Sequence, residues 1–305
     1  MPHARISTAN LNLPPIKAMK EGYSFHDDFL NEAGYTGFEV HPVRGRMTAE
    51  ILLGKKTTEL VTSWHQSFVD MNLRQIASST IKRDSNVTGD HLKLAIGLPD
   101  RKRSLGYLAT MQARIDQLLP VVLYPEKQGT QRQYNFNYKA YENTFEKRLW
   151  QPTAKILDDW EVPLDSGADI ALSGMTKAME KRNFDALCID TFHWSATQKE
   201  LSMPPWQDML PRLAADNNIR EIHFCPARPD FGDDGNQLRK ILNGDIANTR
   251  SGQMLETIAR HTPDSELYVV TELTHQAITD LGYRDYVGVH RELVAAIRDT
   301  VDNVK

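Results

Sequence analysis

The stretch Leu187–Trp194, with the sequence LCIDTFHW, decides the fold class of this chain. An apolar run that begins at Ala186 ends at Asp190, and His193 follows three residues later. Apolar runs of about four to eight residues are typical of strands buried on both faces, as in a parallel sheet. A carboxylate and an imidazole at the end of such a strand can bind a metal or move a proton. The alternative is an Asp that caps the next helix beside a partly exposed His.

Similar apolar segments recur along the chain and alternate with helical patterns. The predicted strands are 5–13, 37–42, 59–64, 120–126, 148–151, 186–190, 221–225 and 267–272. The helical patterns between and after them include 25–33, 170–181, 206–215, 254–259 and 289–301. Eight strands alternating with helices in 305 residues favour a single-domain (β/α)8 TIM barrel over residues 1–305. A doubly wound open sheet is the alternative.

The composition narrows the classes of partner and compartment. A formal net charge of −4 gives no general attraction to phosphate backbones, which disfavours nucleic acid as a partner. No apolar run approaches the roughly 20 residues that span a bilayer, and the first residues lack a signal-peptide pattern. Both cysteines, Cys188 and Cys225, fall in predicted strands and indicate reduced core residues of a cytoplasmic protein. Association into a homo-oligomer stays open.

Polar residues stand at or just beyond the ends of most predicted strands. They are Glu39, His41, His65, Glu126, Gln151, Asp190, His193, His223 and Glu272. In a barrel these strand ends converge on one face. Charged groups that converge in a partly buried mouth repel one another unless a cation or a shared proton compensates. The pattern therefore predicts either a divalent-metal site or a metal-free polar pocket.

Arg228 follows the seventh predicted strand, where it can hold a substrate phosphate or carboxylate or remain a solvated loop residue. The remaining histidines, including His261 and His290, are interpreted as surface groups. The chain lacks a dinucleotide fingerprint, a phosphate loop, a His-Glu-x-x-His motif and a Cys-x-x-Cys motif.

An ordered set of short motifs resembles the xylose isomerase-like TIM-barrel superfamily, which includes sugar phosphate isomerases and epimerases and the endonuclease IV type of AP endonuclease. The motifs are Gly37-Phe38-Glu39, Trp64-His65, Cys188-Ile189-Asp190-Thr191-Phe192-His193, Ile222-His223-Phe224 and Val270-Thr271-Glu272. They extend over most of the chain.

The resemblance implies one divalent metal, Mn²⁺, Mg²⁺ or Zn²⁺, held by Gln151, Asp190, His223 and Glu272. Gln151 departs from the Glu that the family usually carries, and an amide supplies no charge to the site. Tyr124 stands where the endonucleases have a metal-binding His, and the loop 228–236 contains no His. Both departures argue against a three-zinc phosphodiesterase.

The resulting hypothesis is a sugar isomerase or epimerase that acts on a small sugar or sugar phosphate by metal-assisted proton transfer through an enediolate. The expected catalytic residues are Glu272 as the base, Glu126 as a second acid or base, and His193. The expected substrate-binding residues are Glu39, His41, His65, Trp194 and Arg228. The alternatives are a metal-free binding protein, in which Gln151 marks decay of the site, and an endonuclease IV-like metal-dependent phosphodiesterase.

Overall fold

The computed structural model describes residues 4–9, 29–41, 59–65, 108–109, 112–113, 115–123, 143–216, 218–228, 234–263, 267–273 and 275–304. Eight parallel strands pair in sequence order, and the last strand pairs with the first, which closes the sheet into a barrel. This closure confirms the predicted (β/α)8 barrel and rules out the open sheet.

The strands are short. They are β1 Ala4–Ala9, β2 Gly37–Val40, β3 Val61–His65, β4 Val121–Leu123, β5 Arg148–Trp150, β6 Ala186–Asp190, β7 Ile219–Phe224 and β8 Leu267–Thr271. β7 begins two residues before the predicted position because Ile219 already pairs with Leu187 of β6. The predicted continuations of β1 to residue 13 and of β4 to residue 126 lie outside the described residues.

Helices follow the strands on the outside of the barrel. Those described are α1 Asn31–Ala33, α2 Ala154–Asp159, α3 Ala168–Lys181, α4 Thr191–Glu200, α5 Trp206–Ala215, α6 Asn236–Leu242, α7 Arg250–His261, α8 His275–Asp280 and α9 Tyr286–Asn303. Single 3-10 turns lie at Leu164–Ser166 and Ile246–Asn248. Among the described helices, none is long and apolar enough to cross a membrane.

The strands separate two packed regions because successive side chains point to opposite faces. One set, which includes Leu187 and Ile189, joins the large hydrophobic core formed with the surrounding helices. The alternate set faces the interior, where Val122, Leu149, Ala186 and Cys188 form a small apolar cluster. The polar strand-end residues share this inner face and lie nearer its carboxyl end.

A close backbone approach helps to position Glu39. A Cβ atom at Gly37 would lie 2.2 Å from the carbonyl oxygen of Leu60, whose oxygen accepts the Phe38 amide hydrogen bond. Any larger residue would push β2 away from β3. Glycine therefore allows Glu39 to stand in register beside Ser63 of β3.

The interpretation of His290 as a surface group is wrong. His290 is completely buried, and its Nδ1 atom lies 2.6 Å from the hydroxyl oxygen of Tyr35. It lies on the inward stripe of α9, four residues before Val294 and seven before Ile297. A polar residue can occupy this stripe because the phenol provides a hydrogen-bond partner. His261, on the last turn of α7, is exposed as predicted.

Candidate active site

Four side chains from separate parts of the sequence converge inside the carboxyl end of the barrel. They are Glu39 of β2, His65 at the end of β3, His223 of β7 and Glu272 directly after β8, and each offers a ligand atom within 4.8 Å of the others. We call these four residues the outer cluster. All except Glu272 are fully buried.

Glu39 accepts hydrogen bonds from several neighbours. Its Oε1 atom lies 2.5 Å from Nε2 of His41. Its Oε2 atom accepts a hydrogen bond of 3.2 Å from the Ser63 hydroxyl and lies 3.3 Å from Nε2 of His223. Burial alone would raise the pKa of Glu39, but the histidines around it, led by His223, hold this pKa well below its usual value. Glu39 is therefore an anion in the barrel interior.

His65 belongs to the outer cluster and is a neutral imidazole. Its ring stacks on that of His41 with 4.0 Å between centroids, and its Nε2 atom lies 3.4 Å from Oε1 of Gln151. Burial, with added repulsion from His41, lowers the pKa of His65 to about 3. Because metals bind the deprotonated imidazole, His65 is in the form that a metal requires.

His223 and Glu272 lie side by side at the ends of the neighbouring strands β7 and β8. The Nδ1 atom of His223 lies 3.2 Å from Oε1 of Glu272 but makes no well-directed hydrogen bond. Burial would raise the pKa of Glu272, yet His223 lowers it to about 2, so the carboxylate is ionised. The Glu272 side chain is 17% exposed, which makes it the ligand that a molecule arriving from solvent can reach.

The electrostatic environment of His223 is dominated by carboxylates. Burial alone would lower its pKa, but contacts with Cys188, Glu39 and Glu272 raise it well above the usual value. Burial also raises the pKa of Cys188, which keeps that thiol neutral, so the carboxylates are the physical cause. Without a metal, His223 can therefore carry the positive charge that these carboxylates need.

Asp190 and Gln151 lie beside the outer cluster. Asp190 caps α4, because its Oδ1 atom accepts the backbone N–H groups of Phe192 and His193, each at 2.8 Å. Its Oδ2 atom accepts a 3.2 Å hydrogen bond from Nε2 of Gln151. Both carboxylate oxygens are thus engaged, and Gln151 connects Asp190 to His65. The outer cluster and the ligand set implied by the family resemblance both contain His223 and Glu272. Their other two members differ: the outer cluster has Glu39 and His65, and the implied set has Gln151 and Asp190.

His193 and Arg228 lie on the more exposed side of this region. Nε2 of His193 is 3.9 Å from Oδ2 of Asp190, and the His193 side chain is 30% exposed. The Arg228 side chain is 22% exposed, and its Nη1 atom lies 4.0 Å from Oε2 of Glu272. The Arg228 guanidinium also stands over the Phe192 ring at 5.4 Å. A basic side chain thus adjoins the carboxylate that is open to solvent.

Trp194 does not lie where the sequence suggested. It is 1% exposed and belongs to the hydrophobic core, so its ring is not available to a sugar. The reason is helical periodicity, because Thr191, Trp194 and Thr197 form the buried stripe of α4. Glu126, the expected second acid or base, lies outside the described residues.

Sequence reasoning missed Glu221, which is completely buried on β7. Its Oε1 atom lies 2.9 Å from Nε2 of His223. Burial, followed by repulsion from Glu39, raises the pKa of Glu221 to about 8. The signal was available, because residues two apart on a strand share a face and His223 had already been assigned to the interior. Glu221 lies deeper in the barrel than the strand-end residues, at the level of Cys188.

The donor set of the outer cluster fits a divalent metal. Two carboxylates and two imidazoles are ligands that Zn²⁺, Mn²⁺ and similar borderline ions accept. Glu39 and Glu272 are ionised, His65 is neutral, and Nδ1 of His223 lacks a hydrogen-bond partner. These four residues are the ones that would hold the ion.

In comparisons with known proteins, no family model and no curated protein matches the chain. The family resemblance and its functional implications therefore stay predictions, and the chain is identified only as a (β/α)8 barrel with a buried carboxylate–histidine cluster at its carboxyl end.

Proposed function

We propose that the protein is a metal-dependent isomerase or epimerase that acts on a small polyhydroxylated carbonyl compound, such as a sugar or sugar phosphate. The observation that supports this proposal is the convergence of Glu39, His65, His223 and Glu272 within 4.8 Å at the carboxyl end of the barrel. That end is where barrel enzymes carry their active sites. A divalent ion bound there would supply Lewis-acid stabilisation of negative charge that develops on substrate oxygens.

Glu272 is the residue best placed to move the substrate proton. It is the partly exposed member of the outer cluster, and its carboxylate is ionised. In the proposed reaction, a Glu272 oxygen takes the proton from the carbon beside the carbonyl, and the electron pair of that C–H bond moves toward the carbonyl oxygen. If the proton of the neighbouring hydroxyl moves to this oxygen and the abstracted proton is returned to the former carbonyl carbon, the product is an isomer. If a proton is instead returned to the opposite face of the original carbon, the product is an epimer.

Other residues would bind and orient the substrate. His193 is exposed enough to contact a substrate hydroxyl and can carry a proton as the second acid or base. Arg228 lies beside Glu272, where its guanidinium can pair with a phosphate or carboxylate group of the substrate. His65, His41 and Glu39 are buried below them, so they shape the floor of the site.

The test is proton exchange with solvent. Protein loaded separately with Mn²⁺, Co²⁺ and Zn²⁺ is incubated in D2O with a panel of aldoses, ketoses and their phosphates, and NMR follows deuterium uptake beside the carbonyl. The proposal expects uptake for at least one substrate and a loss of about 100-fold or more in Glu272→Gln. Glu292→Gln, an exposed carboxylate on α9, is the matched control and should behave as wild type. Full exchange by Glu272→Gln would overturn the role of Glu272.

One observation favours a second candidate, a metal-free protein that binds a small molecule. His223 lies between the carboxylates of Glu39, Glu221 and Glu272, and its raised pKa lets it balance their charge without a cation. This candidate expects no stoichiometric metal and ligand binding that a chelator leaves unchanged. The nuclease alternative gains no support within the described part of the chain, since Tyr124 and most of the loop 228–236 lie outside it.

A further inference from the structure

We propose that the barrel interior holds a second cation site, one step deeper than the outer cluster, formed by Cys188, Glu221 and His223. This site would take Zn²⁺ or another divalent ion that accepts a thiolate. It goes beyond the proposed isomerase site because Cys188 and Glu221 do not belong to the outer cluster, although the two sites share His223.

The strand register brings the three residues together. Cys188 of β6 is paired with Glu221 of β7, and Asp190 is paired with His223 two residues farther along. Since alternate residues of a strand share a face, Cys188 and Glu221 point into the interior below His223. All three are completely buried. We call these three residues the inner cluster.

The distances are those of a compact donor set. Oε1 of Glu221 lies 2.9 Å from Nε2 of His223 and 3.9 Å from the Cys188 sulfur. A ligand atom from each residue lies within 4.8 Å of the other two. Sulfur, nitrogen and oxygen donors at this spacing are typical of zinc sites. The thiol makes a hard ion such as Mg²⁺ a poor occupant.

A second observation points to an occupant. The Oε2 atom of Glu221 is buried and has no hydrogen-bond partner among the described residues. Its other oxygen contacts His223, a ring that also contacts the carboxylate of Glu39. A buried carboxylate oxygen without a donor is costly, and a bound cation or a proton on the carboxyl removes that cost. The inner cluster therefore contains three potential ligands and a buried carboxylate oxygen that a bound cation would pair.

The two ring nitrogens of His223 connect the clusters. Nδ1 faces Glu272 of the outer cluster, whereas Nε2 faces Glu221 of the inner cluster. Binding of a cation at the inner cluster would displace the Cys188 proton to solvent and form a metal–sulfur bond. The competing explanation is a proton shared by Glu221 and its neighbours, which needs no metal and leaves the thiol intact.

Cobalt spectroscopy distinguishes these explanations. The full-length protein is freed of metal with a chelator and titrated with Co²⁺, and sulfur-to-cobalt charge transfer is followed in the near ultraviolet. We expect this absorption in wild-type protein and its loss in Cys188→Ser, with about one ion per chain fewer by elemental analysis. Cys225→Ser is the matched control, since Cys225 is also a buried free cysteine but donates to the Glu272 backbone oxygen. It should keep the absorption.

Two further variants distinguish this site from the outer cluster and provide a test if Cys188→Ser does not fold. Glu272→Gln should keep the charge-transfer absorption even if it abolishes proton exchange, so the two proposals can fail independently. If Cys188→Ser does not fold, Glu221→Gln, which preserves the side-chain volume, should weaken Co²⁺ binding at the sulfur site at least about tenfold. Absence of the absorption from wild type would overturn the proposal. So would its persistence in Cys188→Ser or an unchanged affinity in Glu221→Gln.

Discussion

Nδ1 of His223 and Oε1 of Glu272 face each other at 3.2 Å across neighbouring strand ends, without a well-directed hydrogen bond between them. An imidazole nitrogen and a carboxylate oxygen this close can bind the same cation. Glu39 of β2 and His65 of β3 complete the group. We therefore expect these four side chains to bind one divalent ion.

Replacement of Glu272 by Gln should weaken metal binding. Loss of one anionic ligand removes a charge from the site, whereas the amide keeps the shape of the side chain. Loss of a residue that only supports a ligand lowers metal affinity about 10- to 100-fold. Because Glu272 would be a ligand itself, we expect Glu272→Gln to lower the metal affinity at least about 100-fold. Calorimetric titration with Zn²⁺ and Mn²⁺ measures it, and Glu292→Gln is the control. Equal affinities for the two variants would exclude Glu272 as a ligand.

Variants of Asp190 separate its capping role from a direct role in metal binding. Asp190→Ala removes the acceptor for two backbone N–H groups at the start of α4, and we expect the free energy of unfolding to fall by about 1–3 kcal/mol. Asp190→Asn keeps an oxygen at the cap, so its stability should lie within about 1 kcal/mol of wild type.

The same Asp190→Asn variant distinguishes the two ligand sets. If Glu39, His65, His223 and Glu272 hold the ion, the affinity of Asp190→Asn should stay within about tenfold of wild type. A loss as large as that of Glu272→Gln would instead support the set implied by the family resemblance. Urea unfolding and metal titration on one preparation give both answers.

Gln151→Glu should make the stability of the protein depend more strongly on metal. The Gln151 amide now donates to Asp190 at 3.2 Å, and a carboxylate in its place would repel Asp190. We expect the metal-free protein to lose about 1–3 kcal/mol and the added metal to restore more stability than in wild type. Melting temperatures with and without Zn²⁺ test this. A metal response no larger than that of wild type would argue that position 151 lies beyond the reach of the ion.

The buried His290 should reduce stability as the pH falls. Burial lowers its pKa from 6.5 to about 3, so between these values the unfolded chain binds a proton that the folded protein does not. Above pH 6.5 the burial of His290 does not lower the free energy of unfolding. Below that value it lowers the free energy of unfolding increasingly, by about 2–3 kcal/mol at pH 4.5. Urea unfolding at pH 4.5 and 7 gives the change, and His290→Asn should show less of it. Equal pH dependence in the variant and wild type would contradict this assignment.

The barrel could be predicted from the sequence because its strands are short apolar runs that end in polar residues. As this pattern predicts, Asp190 is the last residue of β6, His223 the one before the last of β7, and Glu272 directly follows β8. The strand-end pattern does not reveal Glu221, because it lies within β7, two residues before His223. His290 and Trp194 were misplaced because burial on a helix depends on which stripe faces the barrel, and a polar or bulky residue does not reveal that by itself.

The arrangement of the outer cluster was beyond sequence reasoning for a different reason. Which strand-end atoms approach each other depends on barrel register, and the β2–β3 and β6–β7 pairs each contain a register shift. The contact between Nε2 of His223 and the Glu39 carboxylate joins strands that are far apart in the chain. No residue spacing predicts such a contact.

The most direct test of the metal claim is a crystal structure of the protein purified with Zn²⁺ or Mn²⁺, with anomalous scattering measured at the metal edge. We expect a strong anomalous peak bounded by the side chains of Glu39, His65, His223 and Glu272. A well-ordered barrel without a peak in this region, in crystals grown with excess metal, would contradict it.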